Sequence, residues 1–155
     1  MAHFSKPMRI AVISDTHNHL PETLLRSIAE ADEIWHLGDV TDPHLLATLK
    51  ELGRPLHFVR GNCDSEMTWP MHLDFTIAGL KIRLIHIPPS QAPPGFDLLL
   101  HGHTHVPRKE MVRTTCFLNP GCITRANRGA PSSYAWLTLE DGKPFGWEIH
   151  PIVRG

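Results

Sequence analysis

The amino-acid sequence predicts an α/β fold, a four-layer αββα sandwich of two mixed β-sheets flanked by helices. Apolar, β-branched segments alternate with amphipathic helical patterns in the N-terminal part of the chain, which is typical of parallel βαβαβ units. Further along, strand-like segments flank tight-turn dipeptides, as in β-hairpins. A chain of 155 residues can bury its own core, and we expect a single domain over residues 1–155.

The N-terminal elements follow the order strand, helix, strand, helix, strand. Pro21 suits the first turn of a helix, and Gly53 suits the end of one. The predicted strands are Arg9–Ser14, Glu33–His36 and Leu56–Val59, and the predicted helices run from Pro21 to about Ala31 and from Asp42 to Gly53. This βαβαβ order implies right-handed crossover connections and a parallel sheet.

The C-terminal elements include two predicted hairpins, with turns at Ala78-Gly79 and Asp141-Gly142. The segment from Pro88 to Gly95 contains four prolines, so we expect an irregular loop there. The predicted strands are Leu73–Ile77, Leu80–Ile87, Asp97–His101, Thr114–Leu118, Tyr134–Leu139 and Phe145–Ile149.

Composition and charge argue against several classes of protein. The 15 basic and 16 acidic residues are interspersed, so no surface for a nucleic-acid polymer is indicated. No apolar run approaches the ~20 residues of a membrane span, and the polar start lacks the apolar region of a secretion signal. Three cysteines, Cys63, Cys116 and Cys122, lack zinc-ribbon spacing and predict a reduced, cytoplasmic setting.

Metal-binding side chains stand at or just after the ends of five predicted strands. The carboxyl ends of strands in an open α/β sheet meet at one rim, where ligands bind. Two carboxylates, one carboxamide and four imidazoles suit two divalent transition-metal ions side by side. The predicted metal ligands are Asp15, His17, Asp39, Asn62, His86, His103 and His105.

Spacing and charge support this metal site. Asp15 and His17 are two residues apart, so on an extended segment both can point the same way. Asp39 is the candidate to bridge two ions, because a carboxylate has two oxygens to share. Two dications, two carboxylates and one hydroxide sum to about +1, which suits an anionic phosphate. Abundant imidazole favours manganese as the cofactor, with iron, nickel or zinc as alternatives.

In these motifs the sequence resembles the calcineurin-like metallophosphoesterases, specifically their small single-domain phosphodiesterase branch, which also contains the 29-kDa retromer subunit. The resemblance extends from Ile10 to the last hairpin and includes Asn119-Pro120-Gly121 and Pro131–Ala135. It implies the αββα sandwich named above. It also implies how the ligands pair: Asp15, His17, Asp39 and His105 on one ion, and Asp39, Asn62, His86 and His103 on the other.

Two positions depart from this resemblance. Cys63 stands where many relatives have a histidine that protonates the leaving oxygen or steadies the phosphate. A thiol with a pKa near 8.5 is a poor substitute for imidazole as a proton donor, so we expect diesters, or esters with acidic leaving groups, to be favoured. After His86 the chain continues Ile87-Pro88-Pro89, where relatives often have glycine and then a helix, so the wall of the substrate pocket should differ.

Other residues near these motifs carry weaker signals. Asp64 could orient the metal ligands through hydrogen bonds without contacting the ions itself. A role confined to its local turn is an equal alternative. For His19 and Arg125, solvated loop positions are favoured over contacts to substrate phosphate. Trp69 and Met71 are expected to pack in the core, with an apolar surface as the alternative. The candidates for supporting the ligands or contacting substrate are Asp64, Cys63, His19 and Arg125.

We therefore predict a phosphodiesterase in which a hydroxide held by two metal ions attacks a small phosphodiester. Asp39, Asn62 and His86 are assigned the catalytic role. Two alternatives stay open: a protein-binding scaffold of the retromer-subunit type with little or no catalysis, and a phosphomonoesterase. The predicted partner is a small phosphodiester, with no membrane or nucleic-acid polymer, and a homo-oligomer is left open.

Overall fold

The computed structural model describes residues 6–124 and 131–152 of the chain. These residues form two five-stranded sheets and two short helices. The elements are β1 (Met8–Ile13), α1 (Glu22–Ile28), β2 (Glu33–His36), α2 (His44–Lys50), β3 (Leu56–Phe58), β4 (His72–Ile77), β5 (Leu80–Ile85), β6 (Leu98–Leu100), β7 (Arg108–Val112), β8 (Thr115–Asn119), β9 (Ser133–Leu139) and β10 (Gly146–Pro151).

The first sheet has the strand order β10-β9-β1-β2-β3. Its β1, β2 and β3 run parallel, as the βαβαβ pattern predicts, and β9 and β10 add an antiparallel hairpin. Alternate residues of β1 serve opposite faces, as the pleat of a strand requires. Ala11 and Ile13 pack against Leu24 and Ile28 of α1, so the helices cover one face of this sheet.

The second sheet has the order β4-β5-β6-β8-β7 and is also mixed. β5, β6 and β8 run parallel, whereas β4 and β7 pair antiparallel with their neighbours. Ile10 and Val12 of the first sheet share a buried core with Ile82, Leu84 and other apolar residues of the second. The predicted α/β sandwich of two mixed sheets is therefore confirmed, with its main core between the sheets.

Several predicted boundaries differ from the structure. The helices end at Ile28 and Lys50, a few residues earlier than predicted, because closing turns follow each of them. β7 was not predicted, since its sequence Arg-Lys-Glu-Met-Val lacks an apolar face and it lies at a sheet edge. Neither described helix, at seven residues, is long enough to cross a membrane.

Candidate metal centre

The predicted ligands lie on the loops that follow strands of both sheets. Asp15 comes two residues after β1, and Asp39 comes three residues after β2. His86 directly follows β5 rather than lying within it as predicted. The backbone is left-handed at Asp15, His17, Asp39, His103 and His105, with φ between 42° and 73°. Non-glycine residues rarely adopt this conformation, and clusters of them mark functional sites.

One half of the centre forms around the carboxylate of Asp15. Its Oδ1 lies 3.2 Å from His105 Nε2 and 3.9 Å from His17 Nε2. The rings of His17 and His105 meet edge to face, with centroids 5.7 Å apart. One potential ligand atom from each of these three residues lies within 4.8 Å of the others, so one ion could reach all three.

The other half forms around Asn62 and His86. His86 Nε2 lies 2.9 Å from Asn62 Oδ1, and His103 Nδ1 lies 3.1 Å from the same oxygen. Asp39 Oδ2 stands 3.3 Å from His86 Nε2 and 3.6 Å from His17 Nε2. Asp39 thus lies between the two halves, where a bridging carboxylate would be needed. All seven predicted ligands converge in one cup, which we call the metal cup.

The donor atoms of the metal cup fit a bound cation. His86 Nδ1 donates to the Leu37 carbonyl at 2.8 Å, which in the neutral ring leaves a lone pair on Nε2. That lone pair faces Asn62 Oδ1, itself an acceptor, at 2.9 Å. His17 Nε2 is buried without a hydrogen-bond partner among the described residues. Facing acceptors of this kind need a proton or a cation between them, and four imidazoles with two carboxylates suit a divalent metal.

Burial and mutual charge shift the acid–base equilibria of the cup. Burial raises the pKa of Asp15 above its ordinary value, despite the opposing charge of His86. At Asp39, burial also acts to raise the pKa, but hydrogen bonds from His86 and the Cys63 backbone outweigh it and lower the pKa. At His86, burial acts to lower the pKa, but the hydrogen bond to Asp39 and the charges of both aspartates raise it. The cup therefore concentrates negative charge at Asp39.

Asp64 lies behind the metal cup and holds two ligand loops together. Its Oδ2 accepts the backbone N–H groups of Asp39 at 2.9 Å and Gly61 at 2.7 Å. Its Oδ1 accepts the N–H of Thr41 at 2.8 Å. The side chain is buried, and both of its oxygens accept hydrogen bonds from these backbone groups. Asp64 thus contacts the loops rather than the open side of the cup.

Cys63 lies at the mouth of the cup. Its backbone N–H donates to Asp39 Oδ1 at 2.8 Å, and its Sγ is 3.6 Å from Asn62 Nδ2. The Asn62 amide nitrogen therefore faces the sulfur and its oxygen faces the imidazoles. Burial of the sulfur and the negative charge of Asp39 raise the pKa of Cys63, so the thiol stays protonated at neutral pH.

The remaining candidates are placed as follows. His19 is exposed, and its backbone N–H bonds to the Thr16 carbonyl at 2.9 Å, so it lies in a surface loop. Arg125 lies outside the described residues. Met71 was expected in the core but is 56% exposed, whereas Trp69 packs edge to face on Phe58. Met71 lies in a bend directly before β4, next to the exposed His72.

Some supporting residues were set aside or missed at the sequence level. Buried His36 accepts the Gly38 N–H on Nδ1 at 3.1 Å and contacts Thr16 Oγ1 through Nε2 at 3.1 Å. It therefore fixes the loops that carry Asp15 and Asp39. Asn119 donates to Gly102 O at 3.3 Å and braces the loop of His103 and His105. The only sequence signals were a histidine two residues before Gly38-Asp39 and the Asn-Pro-Gly motif.

Comparisons with known proteins identify relatives of the chain. The family model of the calcineurin-like phosphoesterase superfamily domain matches residues 8–142. A probable metallophosphoesterase of Methanocaldococcus jannaschii is 35% identical over 86% of this chain and 77% of its own length. The phosphodiesterase YfcE of Escherichia coli is 32% identical over 84% of this chain and 87% of its own.

Solved structures show the same fold. The structure of the E. coli phosphoesterase YfcE superimposes with a TM-score of 0.74 at 28% identity, covering 84% of this chain and 88% of that chain. The zinc complex of Vps29 from Entamoeba histolytica superimposes with a TM-score of 0.69 at 24% identity, covering 92% of this chain and 98% of that chain. At that identity, the second comparison concerns the fold alone.

Proposed function

Since the chain belongs to the calcineurin-like phosphoesterase superfamily, we propose that it is a metal-dependent phosphodiesterase that hydrolyses a small phosphodiester. The main support is the convergence of carboxylates, imidazoles and one carboxamide in the metal cup, with Asp39 Oδ2 within 3.6 Å of histidines from both halves. A phosphate anion suits such a site once cations offset the two carboxylates.

We assign the cup to two divalent ions. Asp15, His17, Asp39 and His105 would hold one, and Asp39, Asn62, His86 and His103 would hold the other. A mixed set of imidazoles and carboxylates suits manganese, iron, nickel or zinc, and we propose manganese as the bound ion. When bound, the ions supply activation of a water nucleophile and neutralisation of charge on the phosphoryl oxygens.

The chain's own residues position the reacting groups. The Leu37 carbonyl holds the Nδ1–H of His86, so that Nε2 stays turned into the cup. Asp39, Asn62 and His86 would lie against the phosphoryl group of the bound substrate. The Cys63 thiol at the mouth is a weak proton donor because its pKa is raised. Leaving groups that need little protonation are therefore preferred, which favours diesters with acidic alcohols over alkyl monoesters. The free thiols of Cys63 and Cys116 fit a reducing, cytoplasmic compartment.

Hydrolysis of bis(4-nitrophenyl) phosphate by manganese-loaded protein tests this function. We expect turnover that falls at least ~100-fold in Asp39→Asn, because that variant loses the shared anionic ligand. Asp42→Asn is the matched control, since Asp42 pairs with His44 outside the cup, and it should keep wild-type turnover. No turnover with any divalent metal, or full turnover in Asp39→Asn, would contradict the proposal. Faster hydrolysis of 4-nitrophenyl phosphate than of the diester would indicate a monoesterase instead.

A further inference from the structure

A small pocket adjoins the metal cup on the side of Asn62 and His86. It has a volume of about 160 Å³ and is lined by Arg60, Gly61, Asn62, Met71, Ile85, His86 and Ile87. Its walls are largely apolar. We call it the side pocket. Because Asn62 and His86 line both the side pocket and the cup, a phosphoryl group in the cup would direct an attached organic group toward the pocket.

The size of the side pocket limits what it can hold. A cavity of about 150 Å³ accommodates one benzene molecule, and the pocket measures about 160 Å³. One six-membered ring therefore fits, whereas a fused bicyclic ring system does not fit completely. Met71 is 56% exposed and Ile87 is 47% exposed, so a ring would cover apolar surface that now faces water.

Arg60 adds a polar requirement to this apolar pocket. Its Nε is buried and has no hydrogen-bond partner among the described residues. The ion pairs found in residues 6–124 and 131–152 do not include Arg60. Arg60 lines the pocket, so an acidic substituent on a bound ring would complement its positive charge.

We propose that the side pocket binds the organic group of the phosphoryl compound held in the metal cup, and that this group is a single six-membered aromatic ring bearing an acidic substituent that reaches Arg60. This substrate class rests on the proposed function, because the phosphoryl group is placed in the cup. The pocket then selects aryl esters over alkyl esters. Ile87, which follows the ligand His86 and precedes the proline-rich loop, supplies part of that selectivity.

Calorimetric binding of phosphonates to the manganese-loaded full chain tests the pocket without requiring turnover. We expect phenylphosphonate to bind roughly 10-fold more tightly than methylphosphonate, through burial of the ring. In Ile87→Asp this ratio should fall to about one, because a charge replaces an apolar wall. Met67→Asp is the control: Met67 is 74% exposed and does not line the pocket, so the ratio should stay at the wild-type value.

A second ligand tests Arg60. We expect 4-carboxyphenylphosphonate to bind several-fold more tightly than phenylphosphonate in the wild type, and this gain should disappear in Arg60→Met. Equal affinity of the wild type for phenyl- and methylphosphonate, or a preference that survives Ile87→Asp, would overturn the proposal. So would concentration-dependent dimers that Ile87→Asp dissolves, since the pocket would then be an interface. An aryl preference in protein that hydrolyses no diester would uphold the pocket while refuting the proposed function.

Discussion

At the scale of single residues, Asp64 shows how a carboxylate outside the proposed ligand set can fix the metal cup. It accepts three backbone N–H groups, from Asp39, Gly61 and Thr41, at 2.7–2.9 Å. Asp64→Asn turns a donor group toward one of these donors and leaves it unsatisfied. We expect a loss of about 1–3 kcal/mol in the free energy of unfolding and ~10–100-fold weaker manganese binding, measured by urea denaturation and metal titration.

Asp97→Asn is the matched control for Asp64. Asp97 also accepts a backbone N–H, that of Lys81 at 2.8 Å, but it is exposed and remote from the cup. At this exposed site water can accept the hydrogen bond from the Lys81 N–H once the carboxylate is lost. The control should therefore lose less stability and keep its metal affinity. If both variants behaved alike, Asp64 would have no special part in holding the ligand loops.

Buried His36 should make stability depend on pH. Burial, the largest cause, lowers its pKa from 6.5 to about 3, so the unfolded chain binds a proton that the folded chain does not between those values. Stability therefore falls as pH drops through this window, by up to about 1.4 kcal/mol per pH unit for this residue. Above the unfolded pKa the residue adds no pH dependence.

The variant His36→Gln isolates this effect. At about pH 7.5 it should be less stable than the wild type, because the contacts to Gly38 and Thr16 are weakened. At about pH 4.5 the difference between the two proteins should shrink, since only in the wild type does the unfolded chain bind a proton at residue 36, which favours unfolding. Urea denaturation in the presence of a chelator at both pH values measures this difference in the free energy of unfolding. A difference that is the same at both values would show that His36 is not held neutral.

Only a few residue types can bind a metal ion, so the ligand residues of the metal cup could be predicted from the sequence. Two aspartates and four histidines after strand-like runs pointed to the cup because few other roles need that set. Arg60 carried no such signal, and Ile87 stood out only as a departure from the resemblance after His86. Any apolar side chain can wall a pocket, and the exposure of Met71 depends on where β4 begins, which sequence pattern fixes poorly.

At the scale of elements, the close approach of loops from the two sheets depends on Gly102. A Cβ built there would lie 2.6 Å from Asp15 Oδ2 and would overlap Ser14 Oγ. Gly102→Ala should therefore push the loop of His103 and His105 away from Asp15 and weaken manganese binding ~10-fold or more. Gly146→Ala is the control, because its nearest contact would be an ordinary 3.4 Å to Thr138. Equal metal affinities in the two variants would contradict this role.

Regular elements were predicted better than their edges. β1 stood out because Ile10 to Ile13 are fully buried in a mixed sheet and form a continuous apolar run. β2 and β3 are shorter, and β3 is only partly buried at a sheet edge. β7 did not stand out, because Lys109 and Glu110 are exposed at a sheet edge and such edges favour charge. Both helix ends were predicted late, since closing turns continue the helical pattern of the sequence.

At the scale of the whole molecule, the metal cup joins the two sheets. The first sheet carries Asp15, Asp39 and Asn62, whereas the second carries His86 and the loop with His103 and His105. Ions held by ligands from both sheets would bind the folded state alone and would stabilise it through mass action. Chelation should therefore lower the melting temperature by roughly 5–10 °C. In Asp39→Asn the chelator should have little effect, and an equal shift in that variant would place the stabilising metal elsewhere.

We infer that seven side chains hold two divalent ions side by side, and anomalous diffraction from crystals grown with manganese can locate those ions. We predict two anomalous peaks in the metal cup, roughly 3.5–4 Å apart. One should contact Asp15, His17 and His105, the other Asn62, His86 and His103, and both should contact Asp39. A single peak, peaks away from these residues, or none at saturating manganese would rule out the dinuclear centre.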